Sequence, residues 1–457
     1  MTRSFDAIII GAGQAGPALA GRLTAAGMKV ALIERHLVGG TCVNTGCKPT
    51  KTLVASAYAA HMARRAADYG VIAGIVGIDM PAVAARARKV IEDSRAGNEA
   101  WLAQMDALTL VRGHARFEAP HAIRVGDERL EAPRIFINVG GRAAIPDLPG
   151  IDQVDFLTNC SIVALERVPE HLVIVGGSYI GLEFAQMYRR FGARVTLVEM
   201  GPRLIGREDP DVSDAIQAML EDEGIEVRTR ACCIRLGRHD RGVAIGVDCA
   251  EGAPEVVGSH VLLAVGRRPN TDDLDLDKAG IATDAKGYIL VDDQLATNVG
   301  DVWALGDCNG RGAFTHTAWS DYEIVAANLL DGGTRKVSDR ILGYALYVDP
   351  PLGRAGMTEA QARATGRPLL ISKRPMTGVS RAVEKGETFG FMKLVADAET
   401  QRILGAAILG TGGDEAIHGI LDMMNADQPL ATLQWAMPIH PTVSELIPTL
   451  VGDLRPG

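Results

Sequence analysis

Cysteine is scarce in this chain, with seven residues in 457. That is too few to staple a scaffold through disulfides, so any close cysteine pair needs a chemical reason of its own. Long apolar runs are missing as well. None approaches the roughly 18 residues that a membrane-spanning helix requires, and no such helix is expected. The start, MTRSFDAIIIGAG, carries a short apolar run from Ala7 to Ile10 that leads straight into a glycine loop, so no signal peptide is expected. Positive charge is in deficit: a formal net charge of −9 argues against a general nucleic-acid binder. Apolar residues are plentiful at 47%, enough for large buried cores. A length of 457 residues is expected to form roughly three domains of about 150 each. These features fit a cytoplasmic enzyme. In a reducing compartment a close cysteine pair is redox-active or metal-binding rather than structural.

Two segments repeat one another. In FDAIIIGAGQAGPALAGRLTAAGMKVALIER and HLVIVGGSYIGLEFAQMYRRFGARVTLVEM, the residues Gly11, Gly16, Gly27 and Glu34 match Gly176, Gly181, Gly192 and Glu199 at a constant offset of 165 residues. Each segment reads as a buried strand, a glycine turn, a helix, a glycine break and a second strand ending in Glu, which is the βαβ fingerprint of dinucleotide binding. Gly11 allows the tight turn, Gly13 lets the backbone approach a pyrophosphate, and Gly16 lets the helix pack on the strand. The helix N-terminus faces the phosphate charge, and Glu34 can accept hydrogen bonds from a ribose. In the second copy Ser178 stands at the middle-glycine position. Glu199 leans that site toward NADH, because a carboxylate repels a 2′-phosphate, while Arg203 and Arg207 keep NADPH open.

Two nucleotide sites point to a flavin and a nicotinamide. Beside the first of them the stretch GGTCVNTGCKPTK, Gly39 to Lys51, sets Cys42 and Cys47 five positions apart. The residues after Cys47 read as a helix with Pro49 near its start. A cysteine at a helix N-terminus, with Lys48 and Lys51 nearby, is a candidate low-pKa thiolate, and Gly46 loosens the turn so that the two sulfurs can meet. A metal site would need two further ligands. No neighbouring His or Cys has the spacing for one, so no metal ligands are assigned.

That stretch resembles the active-site signature of the class I pyridine nucleotide–disulfide oxidoreductases, and the resemblance extends over nearly the whole chain. It implies an α/β fold with two Rossmann-like dinucleotide-binding domains, for FAD and NAD(P), and a C-terminal α+β dimerisation domain. The expected boundaries are 1–150 with 271–338 for FAD, 151–270 for NAD(P) and 339–457 for dimerisation. The resemblance implies a Cys42–Cys47 redox disulfide, with Cys42 the interchange thiol that meets the substrate and Cys47 the thiol beside the flavin. Lys51 matches the lysine near the reactive flavin nitrogen, Glu183 its acidic partner, and Tyr179 the aromatic gate over the nicotinamide site. The implied FAD contacts are Gly11, Gly13, Gly16, Glu34, Gly40, Thr41, Lys51, backbone at His114 and Ala115 in VRGHARF, Asp307 in DVWALGDCNG, and Thr315 in FTHTA. The implied NAD(P) contacts are Gly176, Tyr179, Gly181, Glu199 and Gly266. Cys308 reads as a packing residue, and the vicinal pair Cys232 and Cys233 as core packing within a strand.

Near the end, in MPIHPTVSELIPTL, His440, Pro441, Thr442 and Glu445 match the family's H-P-T-x-x-E element. There the His is acid/base for the substrate thiol, is oriented by the Glu, and reaches the disulfide of the other subunit of a homodimer. Thr442 and Glu445 also spell a helix capping box. The activity implied is reduction of a small-molecule disulfide by NADH or NADPH through FAD, or the reverse with a dithiol such as dihydrolipoamide. The alternative is reduction of a metal ion, Hg(II) or Cu(II), at the same cysteines. Hg(II) is disfavoured because the chain ends LVGDLRPG, without the vicinal cysteine pair usual in mercuric reductases. Lys48 beside the pair points to an anionic substrate, and neither nucleic acid nor membrane is expected as a partner.

Overall fold

The fold is described from a computed structural model that covers residues 2–248 and 254–457. Each repeated segment folds as its residues dictate. The first gives strand Ala7–Ile10, helix Ala15–Ala25 and strand Val30–Glu34; the second gives strand His171–Val175, helix Tyr179–Phe191 and strand Arg194–Val198. The strands of the first unit and strand His171–Val175 are buried along their whole length, as continuous runs of apolar, largely β-branched residues are when both faces of a parallel sheet are covered. The turns need glycine. Gly11 and Gly176 have φ of +106° and +114°, and a Cβ at either would lie 2.3 Å or 2.4 Å from the carbonyl oxygen of Asn138 or Ala264.

Strand Ala7–Ile10 lies between Val30–Glu34 and Arg134–Ile137 in a five-stranded parallel sheet. Strand His171–Val175 lies between Arg194–Val198 and His260–Leu263 in a four-stranded parallel sheet. Chain connections therefore leave each central strand on opposite sides. A crevice opens at its carboxyl end, the place where open α/β sheets bind ligands. A short antiparallel ribbon, Gly141–Ala143 against Arg267–Pro269, marks where the chain passes into and out of the second unit. The C-terminal third is a six-stranded sheet with helix Gly413–Asn425 packed on it. The run YALYVDPPLGRAGMT forms two strands, Gly343–Leu346 and Leu352–Gly356, because Pro350 and Pro351 cannot continue a ladder. The AETQ turn, a polar break between two apolar runs, joins the antiparallel strands Phe391–Asp397 and Ile403–Leu409. Among the described residues no helix is long and apolar enough to cross a membrane.

One expectation is corrected. Cys232 and Cys233 are exposed, not core. They open an edge strand, Cys232–His239, whose register shifts between Cys232 and Arg235, and Cys233 has φ of +51°. The irregular edge breaks the alternation that would have turned one thiol inward. Cys308 is buried, with its thiol donating to the Leu305 carbonyl at 3.2 Å.

The unit built on strand His171–Val175 and the C-terminal sheet are fastened by buried charge. The Arg354 guanidinium, 1% exposed, donates to Glu208, whose side chain is fully buried and also accepts from the Tyr344 hydroxyl at 2.5 Å. Lys393 reaches Glu359 at 2.5 Å, Asp211 at 3.2 Å and Asp209 at 3.4 Å. Breaking such a pair leaves an uncompensated buried charge. Arg354→Met is therefore expected to cost about 3 kcal/mol of stability, read by urea unfolding of the purified protein. A loss below about 1 kcal/mol would mean that Glu208 finds another partner.

Candidate active site

A continuous cleft of about 2160 Å³ runs between the two glycine turns and is lined by Cys42, Cys47, Lys51, Glu183, Asp307 and Tyr179 among others. The cysteine loop is built against the first glycine turn. Gly39 and Gly40 have φ of +97° and +59°, and a Cβ on Gly40 would lie 2.9 Å from Gly13 Cα. They start the short helix Gly40–Asn44 that carries Cys42, while Cys47 is the first residue of helix Cys47–Arg64. Gly46 has φ of −128°, so left-handed freedom is not its purpose. A Cβ there would lie 2.8 Å from the Thr41 carbonyl oxygen, and that tight closure brings the two thiols into hydrogen-bonding contact.

The two thiols are electrostatically unequal. The hydrogen bond from Cys42 is the main influence pulling the Cys47 thiol down, to about 6, against its own burial. The Thr315 hydroxyl at 3.2 Å and the charge of Lys51 add to the effect. Cys42 is driven the other way, first by the same contact and then by burial. The proton the pair shares therefore resides on Cys42. Lys51 Nζ donates to both oxygens of Glu183, at 2.8 Å and 2.6 Å. The Glu183 side chain is only 5% exposed, and its Oε1 also accepts the Tyr347 backbone amide at 3.1 Å.

Glu34 and Glu199 clasp their own loops. Glu34 accepts from the Ala12 amide at 2.8 Å and the His36 amide at 2.7 Å. Glu199 accepts from the amides of Gly177 and Gly201, each at 2.6 Å. These are the same two bonds, displaced by the same 165 residues. The sequence pattern marks both acids, by their equal spacing from the glycine turn, but not this role. It also misses Asp321, a buried carboxylate on helix Thr315–Leu330 that accepts from the Gly306 amide at 2.7 Å and from Asn309 at 2.9 Å, fixing the turn that carries Asp307. No local pattern marks Asp321.

Asp307 lines the cleft; burial raises its carboxyl, and Arg267 at 3.3 Å pulls it back. His114 and Ala115 line the far end, with the His114 ring bonded through Nε2 to the Asp273 carbonyl at 2.9 Å. Gly13, Gly40, Thr41, Thr315 and Gly266 line it as well. Tyr179 opens its helix with its ring edge-on to Tyr344 at 5.6 Å and to Phe314 at 6.1 Å. Arg203 is paired with Asp214 at 2.9 Å.

His440 is not brought to this cleft. Its Nδ1 lies 2.8 Å from Glu445 Oε2, and its side chain is 74% exposed. Glu445 accepts the Thr442 amide at 3.4 Å, but the Thr442 hydroxyl turns back to the Ile439 carbonyl at 2.7 Å, so the reciprocal capping box is not made. Hydrogen bonds from Ser380, His440 and the Thr442 amide hold the Glu445 carboxyl below its usual range although burial opposes them. Around His440, Trp435, Met437 and Ile439 are 82%, 94% and 78% exposed. Among the described residues no group of three or more metal-ligating side chains gathers.

The residues present fit a flavin dinucleotide. The glycine turn has no room for a Cβ, an acid ends the next strand, and a half-enclosed aspartate lies along the same cleft. Residues 5–321 match the sequence profile described as pyridine nucleotide-disulphide oxidoreductase, and residues 343–451 that of the same family's dimerisation domain. A probable pyridine nucleotide-disulfide oxidoreductase, RclA of Escherichia coli, is 36% identical over 99% of both chains. A mercuric reductase of Streptomyces lividans is 34% identical over 90% of this chain and 88% of its own. A solved structure, the Cu(II) complex of HOCl-induced flavoprotein disulfide reductase RclA, superposes with a TM-score of 0.90 at 35% identity, over 98% of this chain and 99% of the other.

Proposed function

We propose, since this chain belongs to the pyridine nucleotide-disulphide oxidoreductase family, that Cys42 and Cys47 are its redox pair and that a small disulfide is its substrate. The chain is an FAD-dependent pyridine nucleotide oxidoreductase, and its C-terminal third is the family's dimerisation domain. Within it, we assign FAD binding to 1–150 and 271–338, nucleotide binding to 151–270 and dimerisation to 339–457. The observation that carries the reading is the Cys47 thiol, drawn down to about 6 at the head of a helix, beside Thr315 and Lys51 in the cleft that joins both glycine turns.

FAD would be held by the first glycine turn, Glu34, Gly40, Thr41, His114, Ala115, Asp307 and Thr315; when bound, it accepts a hydride from the nicotinamide and supplies the electron pair that opens the disulfide. The rest belongs to the chain. The Cys42 thiolate attacks a substrate sulfur, forming a mixed disulfide and releasing the first thiol. The Cys47 thiolate then attacks Cys42 Sγ, closes the Cys42–Cys47 bridge and releases the second. Cys42 holds its proton against Cys47, so attack needs a base. His440 of one subunit, its Nδ1 fixed by Glu445, supplies that base to the cleft of the other, and the exposed apolar run from Trp435 to Ile439 is covered in the homodimer. Glu199 favours NADH, and of the two arginines that would meet a 2′-phosphate, Arg203 is paired with Asp214. A reducing compartment such as the cytoplasm suits the thiols.

Anaerobic titration with NADH and, separately, NADPH tests this. A long-wavelength thiolate–flavin band is expected after two electrons, reached at lower NADH than NADPH. Its midpoint should lie near pH about 6, with the band full well above that pH and lost well below it, since protonation removes the thiolate. Bleaching of the flavin without the band would take the cysteines out of the circuit. The Cu(II) complex of the RclA structure favours a second reading, in which Cu(II) is the substrate and takes electrons from the same thiols. Copper-dependent NADH consumption without any disulfide would select it.

A further inference from the structure

Lys51 is held by three separate parts of the chain. Helix Cys47–Arg64 carries it, helix Tyr179–Phe191 presents Glu183, and the turn after strand Gly343–Leu346 presents Tyr347. The ammonium lies 4.5 Å from the centre of the Tyr347 ring, well inside cation–π range. The backbone amide of the same residue donates to Glu183 Oε1 at 3.1 Å. One residue thus supports both halves of the ion pair: its ring faces the cation, and its amide holds the anion. Burial first, and then Asp414 and Glu183, keep the Tyr347 phenol protonated, so the ring offers its face without adding a negative charge.

We propose that Tyr347 is a positioning residue for Lys51: it holds the ammonium against Glu183 and toward Cys47, so that the C-terminal sheet sets the charge felt by the redox thiol. The inference rests on the reading of Cys47 as the thiol beside the flavin. The groups facing Cys47 are Cys42 from the cysteine loop, Lys51 from its own helix and Thr315 from helix Thr315–Leu330. Lys48, also on the thiol's own helix, acts on Cys42. Those facing Tyr347 are Glu183, Cys47, and Asp414 and Glu415 at the start of helix Gly413–Asn425. Lys51 faces the same ring, and it is the cation that a neutral ring steadies.

The test is a pH titration of the long-wavelength band in the two-electron-reduced, flavin-loaded dimer. Tyr347→Leu removes the aromatic face and keeps the backbone amide. It is expected to move the midpoint up by about 0.5–1 pH unit, roughly a three- to tenfold loss of thiolate at a fixed low pH. Tyr347→Phe keeps the face and should titrate like the parent. Tyr347→Trp, with the strongest face, should move the midpoint down, which tests the proposal even if the leucine variant fails to fold. A leucine variant with an intact band and an unmoved midpoint overturns the proposal and leaves the role of Cys47 standing. A parent enzyme with no band overturns both.

Discussion

A Cys47→Ser variant should still take a hydride from NADH onto its flavin and yet lose reduction of a disulfide substrate by at least about three orders of magnitude, the scale on which removal of a covalent nucleophile acts. The hydroxyl that replaces the thiol cannot close an S–S bond to Cys42, so no bridge exists for electrons to enter. The hydrogen bond to Thr315, 3.2 Å in the parent, and the nearby Lys51 charge both act on a thiolate that is no longer there. The two half-reactions separate the effects. Rapid mixing with NADH reports flavin reduction, and steady-state turnover with a small disulfide reports the thiols. Turnover and the long-wavelength band surviving together in the serine variant would end the assignment.

His440→Gln should lower disulfide turnover by about 10²- to 10⁴-fold, the usual contribution of a positioned acid or base, and leave flavin reduction by NADH unchanged. Glutamine preserves a donor toward Glu445, which lies 2.8 Å from the native ring, so the loss reports proton transfer rather than a collapsed loop. The defect arises because Cys42 keeps its proton against Cys47. If the histidine acts across the dimer, mixing and refolding His440→Gln with Cys42→Ser chains should restore activity that neither has alone. A mixed dimer contains one cleft with an intact Cys42 and a partner with an intact His440. Unchanged turnover in His440→Gln would place the base elsewhere.

Much of the fold was legible because it depends on short-range constraints. The 165-residue repeat follows from where glycine is sterically required, and the strand ends and helix starts fall beside those glycines. The cysteine loop was legible for a similar reason: a five-residue spacing, three glycines and a helix start confine both thiols to one turn. What escaped was set by tertiary packing. Tyr347 sits 296 positions from Lys51 in sequence, and Arg354 sits 146 from Glu208, and neither distance leaves a mark on the local pattern. The misreading of Cys232 and Cys233 had the opposite cause. A strand was correctly expected there, but an irregular sheet edge is invisible to a period-two rule.

The paired bonds of Glu34 and Glu199 bear on how the two nucleotides are captured. Each carboxylate is already engaged by two amides of its own loop. The loops are thereby preorganised, and little chain entropy remains to be lost when a dinucleotide docks. Because both cradles share this rigid frame, on the proposed assignment of FAD to the first and the nicotinamide to the second, discrimination falls to what surrounds the frame. Gly13 of the first copy is matched by Ser178 in the second, the cysteine loop closes over the first cradle, and the Tyr179 ring stands beside the second.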